Sequence, residues 1–80
     1  MTTIVLKISS NMKSRVEDVF NKEDVAVLDT GEFLVTATFP EKEWLFSLIF
    51  SFGEHIEILA PEEMRQKMAT KLKLMAEKYH

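Results

Sequence analysis

The sequence of 80 residues contains no cysteine and only two histidines, two glycines and two prolines. Without cysteine the chain can form neither a disulfide framework nor a thiolate zinc site, so the fold must depend on apolar packing. The histidines, His55 and His80, lie far apart in the sequence, so we predict no metal site. The isolated glycines, Gly31 and Gly53, exclude a glycine-rich phosphate loop.

Long apolar runs are also missing. The run near the N-terminus ends at Lys7, and no stretch approaches the roughly 20 apolar residues of a membrane span. These observations predict a cytoplasmic protein with no signal peptide and no membrane contact. Acidic residues outnumber basic ones by 13 to 10 and are interleaved with them, so no overall attraction to nucleic acid is expected. Hydrophobic residues make up 46% of the chain and are spread along it, which predicts one globular domain over residues 1–80.

Candidate catalytic groups are few. The serines near the N-terminus have only two histidines in the whole chain that could act as their base. Paired carboxylates such as Glu62 and Glu63 stand where a helix is predicted to begin, and acidic side chains there compensate the helix dipole. We therefore expect no catalytic residue, no cofactor and no enzymatic activity.

Alternating apolar and polar residues predict the strands of a sheet. Ile4, Leu6 and Ile8 fall on one side of the first strand, as a sheet covered on one face requires. Gly31 follows Asp-Thr in a turn signature and can adopt a positive φ there, which predicts a hairpin. The predicted strands comprise residues 2–8, 25–28, 33–39 and 55–60.

Helical periodicity and end signals predict three helices, at residues 12–20, 41–52 and 62–79. The order of elements predicts an α+β fold, a ferredoxin-like βαββαβ antiparallel sheet with an additional C-terminal helix. Right-handed crossovers would place the first two helices on one face of the sheet. The other face would be partly apolar, and we predict that Leu34, His55 and Leu59 lie there and contact a partner.

The helix predicted at residues 41–52 is apolar on two sides. Trp44 belongs to its broad apolar stripe and is expected to be buried in the core. Phe46 and Phe50 lie one turn apart on roughly the opposite side, so they need a second cover. That cover is either the C-terminal helix or a partner protein, and the sequence favours neither. We add both phenylalanines to the predicted interface.

The C-terminal helix carries two further patterns. Its methionines, among them Met64, Met68 and Met75, form a stripe that is either core or an adaptable binding surface. Three lysines fall within one narrow sector and could contact phosphate: Lys67, Lys71 and Lys78. A solvated face with ion pairs along the helix explains the same lysines.

Two stretches of the sequence carry a family pattern. The first is Glu43-Trp44-Leu45, and residues 51–65 read Ser-Phe-Gly-Glu-His-Ile-Glu-Ile-Leu-Ala-Pro-Glu-Glu-Met-Arg. The chain resembles the C-terminal extension (WCX) domain of bacterial WYL-family transcriptional regulators. That domain typically ends with a tryptophan-bearing helix, a Phe-Gly break, a Val-Glu-Val-Leu-like strand, Pro-Glu, and a helix that closes near a tyrosine. Tyr79 matches this last feature, and the upstream hairpin also fits.

The resemblance implies a bacterial regulator built from an N-terminal helix-turn-helix, a WYL domain and this extension, which helps to sense an effector and to dimerise. The implied partners are the chain's own upstream domains and a second copy, with DNA bound through the full-length protein. The implied effector is a nucleic acid, single-stranded in studied relatives, or a small molecule. Trp44, Gly53 and Pro61 match at positions whose expected role is structural, so no effector-contacting residue is assigned.

Two alternatives to this interpretation stay open. An ACT-like domain that senses a small molecule shares the predicted order of strands and helices. A module that binds nucleic acid directly through the lysines of the last helix is the other alternative. The net charge of −3 counts against the nucleic-acid interpretation.

Overall fold

A computed structural model describes residues 1–40 and 43–79. Within these ranges the strands are β1 (Thr2–Ile8), β2 (Val25–Val27), β3 (Phe33–Phe39) and β4 (Ile56–Ala60). The α-helices are α1 (Lys13–Val19), α2 (Glu43–Phe50) and α3 (Glu62–Glu77). Short 3-10 turns at Ser10–Met12, Lys22–Asp24 and Gly53–His55 precede α1, β2 and β4.

The four strands form one antiparallel sheet in the order β2-β3-β1-β4. This is the strand order of a ferredoxin-like fold, and α3 follows as the additional C-terminal helix, so the predicted fold class is confirmed. β1 lies between β3 and β4, with Leu6 opposite Val35 on one side and Ile58 on the other. The β1–β4 register shifts between Val5 and Leu6.

The core lies between one sheet face and the helices. Ile4, Leu6 and Ile8 are almost fully buried, as their alternation along β1 predicts. The helices cover this face with side chains spaced at helical intervals, which places α1, α2 and the first half of α3 on the same side. The helical residues of this core are Val16, Leu45, Phe46, Ile49, Met64 and Met68.

Some helices and strands begin at other residues than predicted, because a short turn replaces the expected first residues. The first helix is predicted over 12–20, but its start is a 3-10 turn and α1 proper begins at Lys13. Residues 41 and 42 of the second predicted helix lie outside the described residues. After α2, Gly53 adopts φ +61°, which reverses the chain into a 3-10 turn, and β4 begins one residue later than predicted.

The exposure of α2 corrects two predictions. Trp44 is 46% exposed rather than buried, and its main ring contact is a T-shaped pair with the half-buried Phe39, with centroids 6.1 Å apart. Phe46 is only 5% exposed, because α3 covers it. Lys71 of α3 places its Nζ 4.8 Å from the centroid of that ring. Phe46 therefore belongs to the core and offers no surface to a partner.

In the part of the chain that the structure describes, no helix is long and apolar enough to cross a lipid bilayer.

Candidate association surface

An apolar groove opens between α2, β4 and α3. It has a volume of about 390 Å³ and is mostly apolar. Its apolar lining includes Phe50, Ile56, Ile58, Met68, Leu72 and Met75, and we call it the α3 groove. Phe50, which the sequence assigns to an interface, is half-buried at this groove.

The groove exists because α3 continues past the body of the domain. Met64 and Met68 are buried in the core at the start of the helix. Leu72 and Met75, further along the same stripe, are 49% and 46% exposed. The methionine stripe is thus core in its first half and solvent-facing in its second, and a binding role for the second half stays a prediction.

A cluster of charges closes one rim of the groove. The Nη1 of Arg65 donates a hydrogen bond to the carbonyl oxygen of Ile58 and lies 3.4 Å from Oε2 of Glu57. Glu57 also forms an ion pair with Lys7, whose Nζ lies 3.6 Å from Oε1, and Oε2 of Glu62 lies 3.6 Å from Arg65 Nε. These side chains are partly exposed, so each ion pair contributes little by itself. Of these four side chains, those of Arg65 and Glu57 line the groove, so its rim carries one charge of each sign.

The hydrogen bond from Arg65 protects an outer edge of the sheet. β4 pairs with β1 on one side only, and backbone groups alternate between the two sides of an antiparallel strand. The carbonyl of Ile58 points away from β1, toward the position that an added strand would occupy. Arg65 donates a hydrogen bond to this carbonyl, so it is not available to an added strand. Such protection of an edge carbonyl hinders strand-to-strand aggregation.

We expect Arg65→Ala to lower the free energy of unfolding by about 1 kcal/mol and to promote aggregation detected by thioflavin T fluorescence. Lys7→Ala is the matched control, because Lys7 pairs with the same Glu57 carboxylate but with no edge carbonyl. The control should stay soluble and lose less stability. Equal aggregation of the two variants would show that the loss of charge, and not the free edge, is responsible.

The opposite face of the sheet is uncovered by helices and is mixed in polarity. Leu34 is half-buried there and lies opposite Lys7 in the register, and Leu59 is 37% exposed beside the β1–β4 register shift. The hydroxyl groups of Thr3 and Thr38 form a hydrogen bond across β1 and β3, with 2.9 Å between the two Oγ1 atoms. This face provides only scattered apolar area.

The five residues predicted for an interface do not form one surface. Leu34 and Leu59 lie on the uncovered sheet face, whereas Phe50 lies at the α3 groove on the helical side. Phe46 is in the core. His55 is not in β4 but in the 3-10 turn before it, where its carbonyl accepts the Ser9 amide at 2.9 Å. The sequence left the stripe of the last helix open between core and binding surface, because the stripe looks the same along the whole helix and does not indicate where burial ends.

The lysines of α3 are engaged to different degrees. Lys71 Nζ lies 2.6 Å from Oε1 of Glu43 and above the Phe46 ring, so a phosphate would have to displace that carboxylate. Lys67 and Lys78 are exposed. Contact of Lys67, Lys71 and Lys78 with phosphate stays a prediction.

Across residues 1–40 and 43–79, no three His, Cys, Asp or Glu side chains lie close enough together to hold a metal ion. The buried side chains of these ranges are all apolar. What the surface offers is apolar contact area at the α3 groove with an ionic rim.

A family model described as the WCX domain matches residues 1–76. This range includes both stretches on which the resemblance rests, and it covers every strand of the sheet. A search of curated proteins finds no match to the chain.

Proposed function

Because the chain belongs to the WCX domain family, the C-terminal extension of WYL-type transcriptional regulators, we propose that it contributes dimerisation and an effector response to such a regulator. It acts without catalysis and without a cofactor, in a bacterial cytoplasm. Its partners are the upstream WYL and helix-turn-helix domains and a second copy of itself. DNA is bound through the full-length protein.

The observation that carries this proposal is the apolar surface around the α3 groove. Leu72 and Met75 are exposed on α3 and line the groove together with the half-buried Phe50 and Ile56. Contiguous apolar surface of this kind is typical of a contact with another protein. Association therefore accounts for side chains that the fold itself leaves in water.

A second candidate is the sensing of a small molecule, and the size of the groove favours it. A volume of about 390 Å³ lies within the range of ligand pockets, roughly 300–1,000 Å³. Arg65 and Glu57 at the rim would orient a polar group of the ligand. A thermal-shift screen with amino acids and other metabolites tests this candidate. A saturable rise in the melting temperature that Met68→Gln abolishes would support it.

The test of the association proposal is sedimentation equilibrium of the chain over a wide range of concentrations. We expect a dimer whose dissociation constant rises at least about tenfold in Phe50→Ser, a loss of about 1.4 kcal/mol. Val27→Ser is the matched control, because Val27 is exposed and apolar but lies on β2, which contributes no residue to the groove lining. A chain that stays monomeric at millimolar concentration would contradict the dimerisation part of the proposal.

A further inference from the structure

The outer edge of β4 carries backbone groups that face away from the rest of the sheet. The Ser9 amide donates to the His55 carbonyl oxygen at 2.9 Å, which continues the β1–β4 ladder and fixes which residues of β4 face β1. Backbone groups alternate between the two sides of an antiparallel strand, so those of Ile56 and Ile58 point away from β1. β4 is the last strand on this side of the sheet, so these groups meet no further strand in the described chain.

The two outward-facing residues of β4 differ in what they bind. Arg65 donates a hydrogen bond to the Ile58 carbonyl. Within the described residues, neither the amide nor the carbonyl of Ile56 bonds to a turn, a loop or a side chain. Ile56 therefore presents one backbone donor and one backbone acceptor side by side, and an extended backbone complements that pair.

The α3 groove runs along this open edge. Its lining includes three consecutive residues of β4, namely Ile56, Glu57 and Ile58. Consecutive side chains of a strand point to opposite faces, so a groove lined by all three follows the strand edge and not one face. The other wall includes Leu72 and Met75 of α3, which are 49% and 46% exposed. α3 thus exposes, beside the last strand, apolar surface that a further strand would cover.

The open edge and the apolar wall select the same residues of a partner. A residue of an added strand opposite Ile56 exchanges both backbone hydrogen bonds with it, and the two side chains lie on the same face. That face is the helical one, because the Ile56 side chain packs against the core. Every second residue of the partner therefore turns its backbone amide to β4 and its side chain toward Leu72 and Met75. These two side chains are apolar, so apolar side chains fit at those positions.

We propose that the α3 groove binds an extended peptide segment of a partner protein, which adds to β4 as a further strand with an apolar residue at every second position. The inference rests on the proposed association and deepens it, since it names the conformation and chemistry of the segment that occupies the groove. Arg65 limits the added strand to the first part of β4, because it covers the Ile58 carbonyl. The bound segment covers Leu72 and Met75 and accounts for their exposure in the free chain.

The test measures fluorescence anisotropy of a labelled short peptide in which valine alternates with threonine between a terminal lysine and a terminal glutamate. We expect saturable binding with a dissociation constant below about 1 mM. N-methylation of the valines should weaken binding at least about tenfold, because it removes the donor that meets the Ile56 carbonyl. N-methylation of the threonines is the matched control and should have less than about a threefold effect, since their amides face away from β4. Equal effects of the two modifications would overturn strand addition.

Arg65→Ala separates strand addition from recognition of a polar ligand group by the guanidinium. The substitution frees the Ile58 carbonyl for the peptide backbone, so the variant should bind the peptide at least as tightly as the native chain. The measurement is made on soluble variant, below the concentration at which it aggregates. Weaker binding would show that the guanidinium itself holds the ligand, and would overturn strand addition.

Leu72→Ser and Leu74→Ser form a matched pair for the apolar wall. Both leucines are about half exposed on α3, but only Leu72 lines the α3 groove. Leu72→Ser should weaken peptide binding at least about fivefold, and Leu74→Ser should leave it within about twofold. A chain that dimerises but does not bind the peptide would overturn strand addition and leave the proposed dimerisation intact. A chain that binds the peptide as expected but stays monomeric at millimolar concentration would support strand addition and contradict only the dimerisation.

Discussion

Phe46→Ala is expected to lower the free energy of unfolding by about 3–5 kcal/mol, which is the usual cost of deleting a buried phenylalanine ring. The ring is 5% exposed, lies in the core with Leu45 and Ile49, and has the Lys71 ammonium 4.8 Å from its centroid. Its removal leaves a cavity between α2 and α3 and also removes a cation–π contact. Urea unfolding followed by far-ultraviolet circular dichroism measures this loss.

Phe50→Ala is the matched comparison, because Phe50 is one turn further along α2 and only half-buried. We expect it to cost about 1–2 kcal/mol of folding stability, since less apolar area leaves water there. For self-association we expect the opposite order. Phe50→Ala should weaken the dimer, whereas a Phe46→Ala chain that still folds should dimerise like the native chain. A Phe46→Ala chain of native stability that no longer dimerises would show that the ring contacts a partner.

Leu6→Ala should lower the free energy of unfolding by about 2–5 kcal/mol. Leu6 is 1% exposed in the middle of the central strand, with Val35 and Ile58 as its neighbours across the two adjacent strands. The structure around Leu6 can relax little to fill the cavity, because the strand register fixes its neighbours on both sides. The same urea titration measures the effect.

Val5→Ala, one residue away, is the control for Leu6→Ala. Val5 points to the uncovered face of the sheet and lies opposite Thr36. We expect a loss of about 1 kcal/mol, which reflects strand propensity and partial burial. Similar losses at the two positions would mean that the sheet is covered on both faces.

The sheet could be predicted from the sequence because its signal is local. Residues in a strand alternate between two faces, so the apolar positions of β1 and β3 identify the buried face without any knowledge of the partner. Ile4, Leu6, Phe33 and Val35 are all buried as that alternation predicts. Gly31 likewise identifies the hairpin turn, and it has a φ of +89° in the structure.

The candidate site could not be predicted in the same way, because helical periodicity gives the spacing of a stripe and not what covers it. Both sides of α2 are apolar, and only the return of α3 decides that Phe46 is enclosed while Trp44 stays exposed. The stripe of the helix predicted at residues 62–79 runs from Met64 to Tyr79 without a change in pattern. How much of α3 is covered depends on where the sheet and α2 end. The sequence of α3 itself does not indicate this.

The position of Trp44 determines what an optical experiment on this protein can report. It is the only tryptophan in the chain, and its indole is nearly half exposed beside Phe39. Because nearly half of the residue is already exposed to water, the spectral change on unfolding will be smaller than that of a fully buried tryptophan. Intrinsic fluorescence will therefore respond more strongly to a ligand or protein that covers the start of α2 than to unfolding of the hydrophobic core.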